Sequence, residues 1–334
     1  MTVDPNSVSD QIACLLPLKG KVALLVPTLN SAATLAETLE SIQAQGDEVL
    51  QLFRCIVIAD GGSCDRTAEI AKESWKSSVP MHVRIMGRNR GEARDVTDAA
   101  LSLPSGVEWF CLMHSDNVAK PDWLASILKE VVSAGDRVAS VCSSYDSWIP
   151  GVKITRGENV FGADSELING NRATVRETLL RGCWWHHSTA AIRVAALREI
   201  GGYLPEFRQY LDWDFLLRLL EAGWNIVYVR RSLMMYREHA ESISSRNIYG
   251  HFDIWESFKV VRKHQYAFTN VDLLNFHAAR LLQIIRRMAS SICRGQGGRL
   301  LRAVSLASYV PMSFLLCLKD RRLHHVNLLK TDNS

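Results

Sequence analysis

The sequence predicts an α/β fold: a mostly parallel central sheet flanked by helices, with a helical, basic C-terminal appendage. Three observations predict it. From 22 to 142, short apolar β-rich runs alternate with stretches at helical spacing, as strand–helix–strand units around a parallel sheet require. After Asn247 only helical periodicity remains. Charge separates the two parts. From Ala278 onward ten Lys/Arg face two Asp/Glu, so the tail carries +8 and residues 1–277 sum to −4 within a formal net charge of +4. A tail of that sign suits an acidic surface.

Each element follows from its residues. Val22 to Val26 is an unbroken apolar run closed by Pro27, as a central strand buried on both faces requires. Ser31 to Gln45 places Leu35, Leu39 and Ile42 at helical spacing. Phe53 to Ala59 is a second buried strand, closed by Asp60-Gly61-Gly62-Ser63, and Asp65 to Ser74 is a helix. His82 to Met86 is a third strand, Glu92 to Leu103 a third helix and Val107 to Met113 a fourth strand. A helix over Asp122 to Ala134 starts just after Pro121, and Val138 to Cys142 is a fifth strand. Ser143 to Gly182 breaks the alternation. It is polar and reads as a long excursion over the sheet, with one helix near Ala173 to Leu180. Order returns with Ser188 to Arg193, helix Val194 to Ile200, amphipathic helix Asp212 to Ala222 and strand Trp224 to Val229. Leu273 to Ile292 is an apolar helix interrupted by Arg280, Arg286 and Arg287.

With 334 residues, 47% hydrophobic and 22% charged, the chain is neither disordered, collagen-like nor a small disulfide scaffold. The eight cysteines are scattered without a C-x-x-C pair, as expected of reduced structural thiols in a cytosolic compartment. The N-terminus lacks the basic and apolar segments of a signal peptide. The longest charge-free apolar run of the tail, Ala303 to Leu318, has 16 residues, short of the roughly 20 that span a bilayer.

Ligands of open parallel sheets bind beyond the carboxyl ends of the strands. Polar residues gather there: Thr28 and Asn30 after the first strand and Asp60 after the second. Arg88, Arg90 and Arg94 follow the third, and His114, Ser115 and Asp116 the fourth. Each alone reads as a loop residue or, for Asp60 and Asp65, a helix cap; together they line one edge. No G-x-G-x-x-G follows the first strand and no G-x-x-x-x-G-K-[ST] occurs, which excludes nicotinamide dehydrogenases and P-loop ATPases. A nucleotide here must be held by side chains and a metal.

These residues resemble a known family. VALLVPTLN at 22–30 and IVIADGGSCDRT at 56–67 resemble the start of family 2 glycosyltransferases of the GT-A fold. Gly91 to Arg94 resembles their third element, and His114-Ser115-Asp116, with Pro121 and Leu124, their D-x-D motif. Gly201-Gly202-Tyr203 and the block from Asp212 to Arg218 resemble their acceptor-side acidic motif. Tyr236 to His239, with Ser242 to Ser244, resembles the block after the last strand. The resemblance covers roughly 20–245.

The resemblance implies roles. Asp60 accepts a hydrogen bond from the base of a nucleoside diphosphate sugar, with Thr28, Asn30 and Ser115 nearby. Asp116 holds Mg²⁺ or Mn²⁺ on the diphosphate, and His239 is the second candidate ligand or an ordinary histidine. Arg94 stands either for phosphate charge or for a helix-surface ion pair. Asp212 is the general base that takes the acceptor hydroxyl's proton, or else a helix cap, with Asp214 in the same first turn. Single displacement by one base inverts the anomeric centre. Trp184 and Trp185, beside His187, offer sugar-stacking faces or ordinary core packing.

Three positions depart from the pattern: Ala59, His114 and Leu211 stand where the family has acids. The expected function is sugar transfer to a glycan or lipid-linked hydroxyl in surface polysaccharide or glycolipid assembly. The alternatives are a catalytically inactive nucleotide- or glycan-binding partner subunit and a nucleotidyltransferase. The expected organisation is an extension over 1–20, a catalytic domain over 21–246 and a helical region over 247–334. The catalytic domain divides into a nucleotide-sugar half, 21–142, and an acceptor half, 143–246. Basic residues interleaved with apolar ones in the tail suit an anionic membrane surface, a helical lid or a homo-oligomer face; sparse aromatics argue against nucleic acid. A cytoplasmic enzyme, peripheral at the inner face of the cell membrane, is the corresponding localisation.

Overall fold

The computed structural model describes residues 12–87, 90–156, 164–239 and 243–331. Arg88 and Ser242, both singled out above, lie outside the described residues. In chain order the elements are β1 (Val22–Thr28), α1 (Leu35–Gln43), β2 (Phe53–Asp60), α2 (Thr67–Ser74), β3 (Met81–Ile85), α3 (Glu92–Leu101), β4 (Trp109–Leu112), β5 (Val118–Ala119) and α4 (Trp123–Val132). There follow β6 (Val138–Ile149), β7 (Lys153–Arg156), β8 (Ser165–Ile168), α5 (Arg172–Arg181), β9 (Ala191–Arg193), α6 (Val194–Glu199), α7 (Leu211–Glu221) and β10 (Asn225–Arg237). Four helices close the chain: α8 (Ile243–Tyr249), α9 (Phe252–His264), α10 (Asn270–Cys293) and α11 (Gly297–Thr331).

Two compact units emerge. The first takes the chain up to Asn171 together with Trp184–Glu238; the second takes Arg172–Cys183 and the chain from His239 on. The helix expected near Ala173 to Leu180 therefore belongs with the C-terminal helices.

In the first unit the strands form one sheet in the order β3-β2-β1-β4-β9-β6-β10-β5. β1 pairs in parallel with β2 and β4, and β2 with β3. Every residue of β1 except Pro27 is buried, as its unbroken apolar run predicts. Val22, Leu24 and Val26 point into one core layer with Leu35, Leu39 and Ile42 of α1 and Trp123, Leu124, Ile127 and Leu128 of α4. The parallel character is confined to strands β1–β4 and the β6–β10 pair. β9 runs antiparallel between β4 and β6, and β5 and β8 run antiparallel to β10. The excursion from 143 is not loop alone: β6 continues to Ile149 and turns back as β7, and β8 joins β10. Its serines and aspartate hide the strand period because one of its neighbours is polar chain rather than core.

The second unit is helical, as expected. α10 opens with a capping box: the Asp272 N–H donates to Thr269 Oγ1 at 3.1 Å and the Thr269 N–H to Asp272 Oδ2 at 2.8 Å. Arg176 of α5 forks onto the same carboxylate at 2.7 and 2.8 Å and holds it below its ordinary range. This pair binds α5 to the C-terminal helices. Ile254, Phe258, Ile284, Ala303 and Val310 form their core. Several tail arginines are engaged internally. Arg287 grips Asp253 at 2.7 and 2.8 Å, Arg299 donates to the Tyr249 carbonyl at 3.0 Å, and Arg321 donates to Asn270 at 2.8 Å. The apolar tail is also longer than its charge-free run. Gly297–Arg321 is long and apolar enough, by length and composition, to cross a membrane, with a window of mean hydropathy 1.6 that is 22% buried.

Gly170 follows β8 where the chain passes under Trp224. A Cβ there would lie 2.2 Å from the Trp224 carbonyl oxygen, a backbone atom that cannot rotate away. Gly170→Ala therefore lowers stability by about 1–3 kcal/mol, read as a lower midpoint in thermal denaturation. Gly135→Ala, with nothing within 4 Å of its Cβ, leaves the midpoint unchanged.

Candidate active site

The parallel strands bring their polar C-terminal ends to one edge of the first unit. Thr28 is in register with Asp60, and Leu25 with Leu112, two residues before His114. Asp60 is 1% exposed, and its Oδ1 accepts from the Gly62 and Ser63 N–H groups (3.2 and 2.9 Å) and the Ser63 hydroxyl (2.7 Å). The carboxylate thus shapes the Gly-Gly turn. The Thr28 hydroxyl beside it is buried and has no hydrogen-bond partner among the described residues. Asn30, at φ +51°, accepts from the Cys64 N–H at 2.9 Å and donates its own N–H to Ser63 at 2.8 Å, clipping the two loops together. Asp65 takes the Ala32 and Thr67 N–H groups, both at 3.1 Å, which is the loop-clip role its position also allowed.

Ser115 is buried, and its hydroxyl meets that of Ser31 at 2.7 Å. Its carbonyl accepts from Thr34 and the Asn117 carbonyl from Thr38, each at 2.8 Å. These bonds fix the turn that presents Asp116, whose side chain is partly exposed. Arg237 donates to the Asp116 carbonyl at 2.8 Å, stacks on Trp148 at 4.3 Å and pairs with Glu37. Arg94 is exposed on α3. Asp116 falls in the first unit and His239 in the second.

A cluster forms beneath this edge. Glu92, the first residue of α3, meets His114 Nε2 through its Oε1 at 2.7 Å. His187 packs edge-on against His114 with ring centroids 4.5 Å apart. Burial alone would raise the Glu92 carboxyl, but the facing imidazoles outweigh it and hold it at about 2. Burial alone would lower His114, but Glu92 outweighs it and keeps the imidazole above its ordinary value. The two form an ion pair. Burial pushes His187 down to about 3 and His186 well below its ordinary value, so both rings are neutral.

Asp212 stands in the first turn of α7, whose N-cap position is Tyr210. It therefore does not cap the helix. Burial raises its carboxyl to about 7, and the Glu92 charge adds to the rise. A carboxyl poised there exchanges a proton near neutral pH. Asp214 lies on another face of α7. It is fully buried and bonded to Arg218 Nε at 2.7 Å, while Arg218 also donates to the carbonyls of Ile200 and Gly202, both at 2.7 Å. This pair locks the Gly201-Gly202 turn against α7. Trp185 is 1% exposed, donates to Ser140 at 3.0 Å and stacks on Phe215, so it is core. Trp184 is partly exposed and meets Tyr228 edge-on.

The profile described as "Glycosyl transferase family 2" matches residues 23–201, more than half of the chain. The chain belongs to glycosyl transferase family 2. Among relatives of this family 2 chain is the succinoglycan biosynthesis protein ExoA of Rhizobium meliloti (strain 1021), 24% identical over 222 residues. That match covers 66% of this chain and 64% of ExoA, so the chain spans just under two thirds of that protein. Among solved structures, S. aureus TarS 1–349 in complex with UDP-GlcNAc matches at a TM-score of 0.55 and 17% identity, covering 76% of this chain and 67% of that one. Mannosyltransferase PcManGT from Pyrobaculum calidifontis, in complex with GDP-Man and Mn²⁺, matches at 0.51 and 13%, covering 93% and 95%. The fold expectation holds: both solved structures match this chain's α/β sheet flanked by helices.

No pattern in the sequence of this family 2 chain points to a role for Glu92. A glutamate at a helix start is ordinary dipole chemistry, and only the adjacent Gly91, at φ +84°, hints that its approach is set. Asp95 escaped for the same reason; it is 4% exposed, and burial raises its carboxyl.

The raised Asp212 carboxyl costs stability as pH rises. From about pH 4 to 7 the folded chain keeps a proton at Asp212 that the unfolded chain has lost, so this carboxyl's contribution to stability falls over that window and is flat above it. Asp212→Asn removes that slope. In urea unfolding the variant gains on the parent between pH 4 and 7, by on the order of a few kcal/mol at the upper end.

Proposed function

We propose that this glycosyltransferase moves a sugar from a nucleoside diphosphate sugar to a hydroxyl of a glycan or lipid-linked acceptor, by inverting single displacement with Asp212 as general base. The observation that carries the reading is the Asp212 carboxyl itself. It is set in the first turn of α7, is not its cap, and is raised to about 7 beside the polar strand ends. The same position is the one that the family motif gives to the base.

The donor lies along the strand edge. Asp60 takes the base, with the unpartnered Thr28 hydroxyl beside it and Asn30 and Ser115 holding the loops in place. Arg94 adds positive charge from α3. The donor class is supported by UDP-GlcNAc and GDP-Man, which TarS and PcManGT carry. The residues fit a hard cation. With Ala59 and His114 in place of acids, Asp116 is the carboxylate that the motif retains, and Mg²⁺ is commonly held by one or two carboxylates plus substrate phosphates. Mg²⁺ or Mn²⁺ held at Asp116 would supply Lewis-acid stabilisation of the departing diphosphate. Asp212 takes the proton of the attacking hydroxyl, and the partly exposed Trp184 offers the acceptor sugar a face.

The name of ExoA supports a place in surface polysaccharide assembly. In the second unit Leu274, Leu281, Leu282, Ile285, Leu301, Met312 and Leu315 are exposed among arginines. That composition supports peripheral contact with an anionic membrane at its cytoplasmic face.

Asp212→Asn lowers turnover by about 10²–10⁴-fold while donor binding stays. Binding is read in a thermal-shift panel of nucleoside diphosphates with and without Mn²⁺. A ligand at 100 times its dissociation constant stabilises by about 2.7 kcal/mol. Wild-type turnover in the variant would remove Asp212 as base. No shift with any nucleotide would favour an inactive partner subunit. In the parent enzyme, turnover falls as pH drops below about 7, because the base is then protonated.

A further inference from the structure

Glu92, His114 and His187 come from three separate stretches: the start of α3, the turn after β4 and the short turn before β9. One ligand atom from each lies within 4.8 Å of the other two. Glu92 Oε1 is 2.7 Å from His114 Nε2 and 3.8 Å from His187 Nε2, the latter beyond hydrogen-bond reach. His187 is 5% exposed, and its other nitrogen, Nδ1, is buried with no hydrogen-bond partner among the described residues. A ring so deeply buried ordinarily satisfies its nitrogens. The Glu92 and His114 side chains are 25% and 21% exposed, so the cluster is open to solvent on their side.

We propose that Glu92, His114 and His187 form a transition-metal site, separate from the Asp116 carboxylate and suited to Zn²⁺. Two imidazole nitrogens and one carboxylate oxygen are a borderline donor set. Such a set prefers Zn²⁺ over Mg²⁺, which seeks oxygen ligands alone. Three protein ligands leave a fourth position for water or a substrate oxygen. The framework is held without the ion: the His114 N–H donates to Ser188 Oγ at 3.3 Å, and Trp185 anchors the turn through Ser140 and Phe215. Replacing the first acid of the D-x-D motif by His114 therefore changes the chemistry at that position from hard oxygen to nitrogen. The site stands on this cluster's geometry and not on the transfer reaction.

The test is metal binding to the full chain without nucleotide. Co²⁺ reports the site by its visible ligand-field bands, and Zn²⁺ competes for it. The expected result is one Co²⁺ per chain, displaced by Zn²⁺ but not by excess Mg²⁺. Glu92→Gln and His187→Ala each weaken Co²⁺ binding by about tenfold or more, while Asp116→Asn leaves it unchanged. Glu92→Gln is close to isosteric at a partly exposed position, so it serves if His187→Ala fails to fold; circular dichroism checks both. No bands at millimolar Co²⁺, or binding that neither cluster variant weakens, overturns the proposal. Equal loss in Asp116→Asn also overturns it, because the ion would then belong to the diphosphate site.

Discussion

His114, Ser115 and Asp116 leave β4 in a turn whose position is set by hydrogen bonds from hydroxyls, and Glu92, Ser188 and Arg237 are placed against that turn. Ser115 reaches Ser31 and Thr34, and Asn117 reaches Thr38, so the turn is stitched to the start of α1. His114 is tied to α3 through Glu92 and to the segment before β9 through Ser188. Arg237 closes it from β10. Most of these groups are buried, where a missing partner costs about 1–3 kcal/mol. Loss of any one bond would move Asp116 relative to the Asp60 turn, which is clipped separately by Asn30.

The same turn sets the electrostatics. A family acid at 114 would put a third negative charge near Glu92 and Asp212. His114 instead neutralises Glu92 and opposes the rise at Asp212. Leu211, 7% exposed where the family has an acid, and Trp213, also buried, flank Asp212 in the chain. Desolvation is the largest cause of its raised carboxyl. The departures at 114 and 211 are thus coherent: charge is removed from the motif positions, and one carboxyl is left poised near neutrality. The Asp214–Arg218 pair, which starts in the same first turn, shows what the rest of that motif does, which is to hold the Gly201-Gly202 turn.

Much of this was legible in the residues. The unbroken apolar runs at 22–26 and 53–59 placed the central strands, because burial on both faces leaves no room for polar alternation. The polar residues at their ends marked the edge. β7 and β8 were hidden by their polar composition, whereas β9 and the start of β10 fall where the residues placed renewed order, at Ser188 to Arg193 and Trp224 to Val229. Glu92 and His187 were unreadable as a pair because they meet only in space. The tail's arginines looked like one basic face, but Arg287, Arg299 and Arg321 serve contacts within the second unit that no spacing rule reveals.

The most direct measurement is a crystal structure of the chain with UDP and Mn²⁺. The predicted result is a base within hydrogen-bond distance of Asp60 and a diphosphate running toward Asp116, with Asp212 facing the open position beyond it. A nucleotide bound elsewhere on the chain, or a diphosphate directed away from the turn after β4, would contradict the assignment of this edge as the donor site.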